Sequence, residues 1–140
     1  MTNVVDVRWQ QRFENFQKAI LLLKEALSLD ISKFSLLEKE GIIQRFEYTF
    51  ELAWKVLKDK MENDGLVLEQ ISPKYVVKQA YASKYIKDIE TWLKMIDDRN
   101  LMSHTYDFET FEEVIYTIQK VYLPMLYEWY LTLLAEQKLV

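Results

Sequence analysis

The sequence predicts an all-α fold, an up-and-down bundle of about five helices. Only two glycines and two prolines occur in 140 residues, which leaves few positions suited to tight turns. Long stretches carry apolar side chains at steps of three and four residues, the spacing of amphipathic helices. Half of the residues are hydrophobic, so a substantial core can be buried. We therefore expect a single helical domain over residues 1–140.

The first two helices are predicted from their apolar stripes and their ends. A helix over 7–29 buries one face, and a second helix follows a short break. Ser35 and Glu38 have the spacing of a capping box, which starts the second helix. That helix ends near Asn63, because Gly65 can adopt the left-handed conformation of a C-terminal cap. The stripe of the first helix consists of Phe13, Phe16, Ile20, Leu23 and Leu27.

Two shorter helices are predicted in the middle of the chain. Residues 66–71 read as an extended connection. Ser72 followed by Pro73 is an N-cap with a first-turn proline, a strong start signal for a third helix over 73–83. A fourth helix is predicted over 86–101.

A long final helix is predicted from Asp107, as its cap, to about Glu136. Pro124 lies inside its apolar pattern. Proline has no backbone N–H and clashes with the preceding turn, so we expect the helix to be distorted there.

Charge and cysteine content argue against several classes of function. The net charge is −4, whereas proteins that coat nucleic acid are normally basic. The chain has no cysteine and one histidine, so we expect no disulfide, no metal site and no cofactor. The chain also lacks a signal-peptide pattern and any apolar run of membrane-spanning length. These features predict a cytoplasmic protein without a membrane partner.

The segment from Arg99 to Tyr106 is the strongest chemical signal. It contains His104, the single histidine, five residues after Arg99. Imidazole exchanges protons near neutral pH, and a guanidinium matches phosphate oxygens. The hydroxyl of Tyr106 can act as a nucleophile or accept a modification. The pattern favours phosphate-ester chemistry, although a lone histidine is also typical of a structural position.

Helix geometry sets a condition on this pair. Five residues turn through roughly 500°, so Arg99 and His104 cannot share a face of one straight helix. Either the helix ends between them, or the site combines two chains. Metal-independent RNA cleavage by the 2′-hydroxyl needs a proton acceptor, a proton donor and a cation at the phosphate. Because one chain supplies one histidine, a ribonuclease of this kind favours a homodimer.

Two further groups of residues each have a structural and a functional interpretation. Glu47 and Glu51 lie one helical turn apart, and Glu51 can pair with Lys55. In the structural interpretation the two carboxylates lie on a solvated helix face. In the functional interpretation one of them orients Arg99 or His104. Lysines interleaved with tyrosines just before the motif are simply solvated, or they bind single-stranded RNA. The candidate RNA-binding lysines are Lys74, Lys78 and Lys84.

Two segments resemble a known family. The stretches from Arg45 to Lys55 and from Asp97 to Asp107 resemble HEPN-domain proteins of the HepT type, also described as nucleotidyltransferase substrate-binding proteins. The R-x4-H-x-Y signature is complete in residues 99–106, and the resemblance extends over nearly the whole chain.

The resemblance implies a function and partners. HEPN ribonucleases build a composite site from two protomers, with Arg99 and His104 as the catalytic residues and Asn100 and Glu47 in support. The resemblance also implies a toxin–antitoxin pair. Its antitoxin would be a small MNT-type nucleotidyltransferase that binds this chain and transfers AMP to Tyr106.

Two alternatives remain open from the sequence. One is a non-catalytic subunit that binds substrate or partner for a minimal nucleotidyltransferase. The other is a purely structural helical dimer, for which the motif would be coincidental. RNA cleavage by the pure protein separates the enzyme from both.

Overall fold

The computed structural model describes the backbone of residues 4–104 and 107–138 and the side chains of 7–104 and 107–137. Every regular element in these ranges is helical, so the predicted all-α bundle is confirmed. None of the helices there is both long and apolar enough to cross a membrane. A 3-10 turn at Ile31–Lys33 follows α1, and a π-helical segment at Ile118–Tyr122 joins α5 to α6. The helices are α1 (Val4–Leu27), α2 (Leu36–Asn63), α3 (Pro73–Ala82), α4 (Ile89–Met102), α5 (Phe108–Thr117) and α6 (Leu123–Lys138).

Both predicted ends of α2 are confirmed. The Ser35 hydroxyl accepts from the Glu38 amide at 3.2 Å, and the Ser35 amide donates to the Glu38 carboxylate at 2.9 Å. This reciprocal pair is a complete capping box. At the other end, Gly65 has a φ of +94°, which a side chain would disfavour. These local signals hold α2 to its full 28 residues.

The start of the fourth helix and the cap of the third differ from the sequence prediction. The fourth helix begins at Ile89 rather than residue 86, because Asp88 is its N-cap and accepts from the Thr91 amide and hydroxyl at 3.1 and 2.6 Å. Ile86 is instead buried in the core before the helix begins. The Ser72 side chain makes no capping bond, so the first-turn Pro73 is the start signal that operates at α3.

Helix α2 is the centre of the bundle, and it packs against α1, α3, α4 and α5. Aromatic rings connect these elements through the core with centroids 5.2 to 6.4 Å apart. Offset and edge-on ring pairs at such distances are favourable beyond the area they bury. The rings in contact, in order, are Phe16, Trp129, Trp92, Phe50, Phe46 and Tyr122. This aromatic chain runs from α1 through α6, α4 and α2 to the π-helical segment.

The distortion predicted at Pro124 takes the form of the π-helical segment before it. The amide of Leu123 donates to the carbonyl of Ile118, five residues back instead of four. Pro124 cannot donate to the preceding turn, so the normal bonding pattern is interrupted at this point. The segment turns Tyr122 fully into the core.

The two glycines give a matched test of the fold. A Cβ added at Gly41, inside α2, would have no heavy atom within 4 Å. Gly41→Ala should therefore raise the free energy of unfolding by about 0.5–1 kcal/mol, since alanine is the better helix former. Gly65→Ala should lower it by about 1 kcal/mol, because φ is positive there. Urea unfolding of both variants measures the difference, and a destabilised Gly41→Ala would contradict this account.

Candidate active site

Helix α4 ends inside the R-x4-H motif. Its last residue is Met102, and Ser103 is the C-cap, with its hydroxyl donating to the Arg99 carbonyl at 3.2 Å. The His104 amide donates to Leu101 at 3.1 Å, which closes the final turn. Arg99 thus lies in the last helical turn and His104 beyond it. The helix ends between the two residues, as their convergence requires.

Tyr122 anchors this end of α4. Its hydroxyl donates to the carboxylate of Asp98, the residue before Arg99. Burial first, and then the hydrogen bond to Asp98, raise the pKa of Tyr122 above its ordinary value. The hydroxyl therefore stays protonated as a donor. Since Tyr122 is also stacked on Phe46 at 5.5 Å, the Asp98 contact ties the last turn of α4 to the aromatic core.

Arg99 is half-buried and not fully bonded. Its Nε atom is buried and has no hydrogen-bond partner among the described residues. An unpaired buried donor on a cation costs free energy that an anionic acceptor would recover. Its position in the last turn of α4 also places the positive charge where the helix dipole favours it. The guanidinium therefore keeps hydrogen-bonding capacity that the described residues do not use.

Glu51 is the carboxylate whose pKa is lowered in part by the charge of Arg99. It accepts from the Trp54 indole at 3.0 Å and pairs with Lys55 at 3.1 Å. Burial alone would raise the pKa of Glu51, but these bonds and the charges of Lys55 and Arg99 outweigh it, so the pKa lies below its ordinary value of 4.5. Glu51 thus remains a carboxylate, and the charge of Arg99 contributes to this.

Glu47, chosen from the sequence as the supporting carboxylate, lies one turn earlier on α2 and is half-buried. Among the described residues, no hydrogen bond or ion pair joins it to Arg99. Its supporting role stays a prediction, and Glu51 is the residue that the electrostatics connect to Arg99.

The remaining motif residues lie toward the surface. The side chains of Asn100 and His104 are exposed, so both are accessible to a substrate or to a second chain. No hydrogen bond joins Arg99 to His104 within the described part of the chain. Tyr106, the predicted modification site, lies outside the described residues. The chain resumes at Asp107, which caps α5 through the Glu109 amide at 3.3 Å, as predicted.

The candidate RNA-binding lysines fall in two places. Lys74 and Lys78 are exposed on α3, with Tyr81 45% exposed beside them. Lys84 follows the end of α3 and has a φ of +65°, unusual for a residue with a side chain. The structure therefore keeps Lys74 and Lys78 on one helix and separates Lys84 from them.

The contact between Asp98 and Tyr122 was not evident from the sequence. Tyr122 belongs to the apolar stripe of the last helix, so its pattern indicated only core packing. The one available signal was Pro124, which marked an irregular turn two residues later without naming its partner.

Most of the chain matches one described family. Residues 11–135 match the family described as nucleotidyltransferase substrate binding protein like. This match covers far more than half of the chain. The protein therefore belongs to the nucleotidyltransferase substrate-binding, HepT-type family.

Two similar proteins add detail. The chain is 35% identical over 72 residues to the "Probable ribonuclease HepT" of Haemophilus influenzae, a match that spans 49% of each chain. It thus covers about half the length of that relative. A crystal structure of a Thermus thermophilus protein superposes with a TM-score of 0.71 at 35% identity, covering 84% of this chain and 96% of the other.

The low pKa of Glu51 predicts a pH-dependent contribution to stability. Glu51→Gln should lower the free energy of unfolding at pH 7, because it removes the ion pair with Lys55 and the electrostatic attraction of Arg99. The folded pKa is depressed, so this stabilisation is fully present above 4.5 and is lost as the pH falls through the folded value. The difference between the two proteins should therefore shrink on acidification below pH 4.5.

Glu47→Gln is the matched control for this measurement. It removes the same charge one turn away on α2, where no ion pair is present among the described residues, so its effect at pH 7 should be smaller. Denaturant unfolding at a series of pH values measures both variants. A Glu51→Gln deficit that does not change with pH would contradict the assigned interaction.

Proposed function

We propose that this protein is a metal-independent endoribonuclease, the toxin of a HEPN/MNT toxin–antitoxin pair. The observation that carries the proposal is Arg99, a half-buried cation whose buried Nε lacks a hydrogen-bond partner among the described residues. It stands in the last turn of α4, and an exposed histidine follows directly after that helix ends. In this proposal a phosphate pairs with the accessible part of the guanidinium at this helix end and is close to the imidazole.

The chemistry divides between the two side chains. The 2′-hydroxyl of RNA attacks the adjacent phosphorus, and the bond to the 5′-oxygen of the next nucleotide breaks. Arg99 stabilises the negative charge that develops on the phosphorane oxygens. An imidazole removes the 2′-hydroxyl proton, and a second group gives a proton to the leaving 5′-oxygen. The products are a 2′,3′-cyclic phosphate and a 5′-hydroxyl.

A homodimer supplies the second proton-transfer group. One protomer has one histidine, whereas a cleft on a two-fold axis holds two His104 and two Arg99 side chains. The exposure of His104 and Asn100 agrees with such a shared site. In it, Asn100 supports the phosphate, Glu47 or Glu51 orients Arg99, and Lys74 and Lys78 attract the incoming strand.

Tyr106 is the proposed control point. It is two residues from His104, so an AMP group attached to its hydroxyl would bring a negative phosphate close to the catalytic groups. That phosphate can pair with Arg99, and the adenosine obstructs the entry of RNA. The donor of this group is proposed to be an MNT-type nucleotidyltransferase that forms a hetero-oligomer with the protein.

A second candidate function follows from the family description itself. A nucleotidyltransferase substrate-binding protein need only bind substrate or partner, without catalysis. In that case Arg99 holds a phosphate group for the transferase, and the pure protein leaves RNA intact.

The catalytic pair gives the direct test. His104→Ala and Arg99→Ala should each reduce RNA cleavage by about 10²–10⁴-fold while the circular dichroism spectrum stays helical. EDTA should have no effect on the native protein, and the products should end in a 2′,3′-cyclic phosphate. Undiminished cleavage by His104→Ala, or abolition of cleavage by EDTA, would refute the mechanism.

Mixed dimers test the composite site. Heterodimers of His104→Ala and Arg99→Ala chains hold one intact histidine and one intact arginine in the shared cleft. They should recover part of the activity that both parents lack. A monomer in light scattering at micromolar concentration, combined with active cleavage, would instead assign a complete site to each chain.

Modification of Tyr106 is tested by mass. Incubation with the proposed nucleotidyltransferase, ATP and Mg²⁺ should add one or more AMP units and stop RNA cleavage without unfolding the protein. Tyr106→Phe should prevent the mass increase, whereas Tyr116→Phe, at an exposed tyrosine on α5, should not. An adduct mapped to another residue would reject Tyr106 as the control point.

A further inference from the structure

A second candidate binding region lies apart from the arginine–histidine motif. Two cavities of 310 and 300 Å³ share Tyr85, Trp129 and Thr132 in their lining. Each is at the lower end of the range typical of small-molecule sites. Neither Arg99 nor His104 lines either cavity. The connection between α3 and α4 and one face of α6 form this region, which we call the α6 groove.

Aromatic and thioether side chains line the first cavity. Trp129 stands edge-on to Trp92 with centroids 5.2 Å apart, and Met125 and Ile86 complete the apolar wall. Tyr85 donates to Asp64 at 2.7 Å. Burial, and then this hydrogen bond, raise the pKa of Tyr85 to about 12, so its ring stays neutral. Such a wall accepts a flat heteroaromatic ring by stacking.

Lysines stand at both cavities. Lys87 lines the first and Lys84 the second, and both are exposed. Within the described residues neither forms an ion pair. Carboxylates lie there as well: Asp88, which caps α4, and Glu128 line the first cavity, and Glu136, which pairs with Lys60 at 3.6 Å, lines the second. Lys84 and Lys87 themselves form no ion pair in the described part of the chain, and they lie next to aromatic faces.

The backbone conformation at Lys84 fixes where its side chain lies. Lys84 has a φ of +65° directly after α3, and the Tyr85 amide donates to Ala80 at 2.7 Å, as in a Schellman cap. Glycine is preferred at this position, because a side chain is strained in the left-handed region. Strained residues of this kind cluster at binding sites. Here the conformation places a lysine in the second cavity.

We propose that the α6 groove binds a nucleotide, with the base against Trp129 and Tyr85 and the phosphate against Lys84 and Lys87. Glu128, which lines the first cavity, can accept a hydrogen bond from an amino group of the base or from a ribose hydroxyl. The nucleotide is either free or one unit of an RNA strand. The RNA alternative rests on the proposed ribonuclease function, whereas binding of a free nucleotide does not.

Calorimetric titration of the full chain with AMP tests the site, with adenosine as the probe that lacks phosphate. Penta-adenylate is titrated into protein carrying His104→Ala, so that the strand stays uncut. Lys84→Gly and Lys87→Ala should each weaken binding at least about fivefold, a loss of one phosphate contact. Lys18→Ala, at an exposed lysine on α1 outside both cavities, is the matched control.

Lys84→Gly also shows whether weaker binding comes from the loss of the lysine or from a destabilised fold. It should raise the Tm by about 2–4 °C, because glycine removes the left-handed strain, while it weakens nucleotide binding. Binding of AMP but not of penta-adenylate identifies a free nucleotide as the ligand. Binding of penta-adenylate but not of AMP identifies an RNA strand. Binding of neither probe, or binding that Lys84→Gly and Lys87→Ala leave unchanged, overturns the proposal.

Failure of this site is distinguishable from failure of the ribonuclease. RNA cleavage by a protein that binds neither probe would reject the α6 groove alone. Nucleotide binding that depends on the two lysines, in a protein that leaves RNA intact, would reject the ribonuclease and keep the groove.

Discussion

The placement of the candidate site depends on the hydrogen bond from Tyr122 to Asp98. It joins the last turn of α4 to the π-helical segment, and the stack of Tyr122 on Phe46 continues this connection into α2. Arg99 follows Asp98 directly, so its guanidinium emerges from a helix end that is fixed at the preceding residue. A cation held in this way would lose little conformational entropy on binding an anion.

The polar groups around this end of the bundle differ in how fully they are bonded. Asp98 accepts a hydrogen bond from Tyr122. Glu51 accepts one from Trp54 and forms an ion pair with Lys55. Arg99 has a buried Nε without a hydrogen-bond partner among the described residues. In the α6 groove, Lys84 and Lys87 likewise form no ion pair among the described residues, while Glu128 in the same lining is an acceptor.

Local sequence signals predicted much of the fold. The capping box at Ser35, the left-handed Gly65 and the Asp107 cap are set by residues a few positions apart, so the sequence contains the necessary information. The sequence also identified Arg99 and His104 as a candidate pair. It did not indicate which other residues interact with this part of the chain. Tyr122 is 24 residues from Asp98 and Glu51 is on another helix, and periodicity alone gives no basis for choosing Glu51 over Glu47.

The π-helical segment gives the last helix an insertion that can be removed. A π turn holds one residue more than an α turn, and each residue of an α-helix adds about 100° of rotation. Deleting one residue within Ile118–Tyr122 would turn the π turn into an α turn and leave everything that follows in nearly the same phase relative to α5. The indole of Trp129 and the phenol of Tyr130 would keep their contacts with Phe16 on α1. The wide turn thus absorbs one residue without changing the phase between the two halves of this helix.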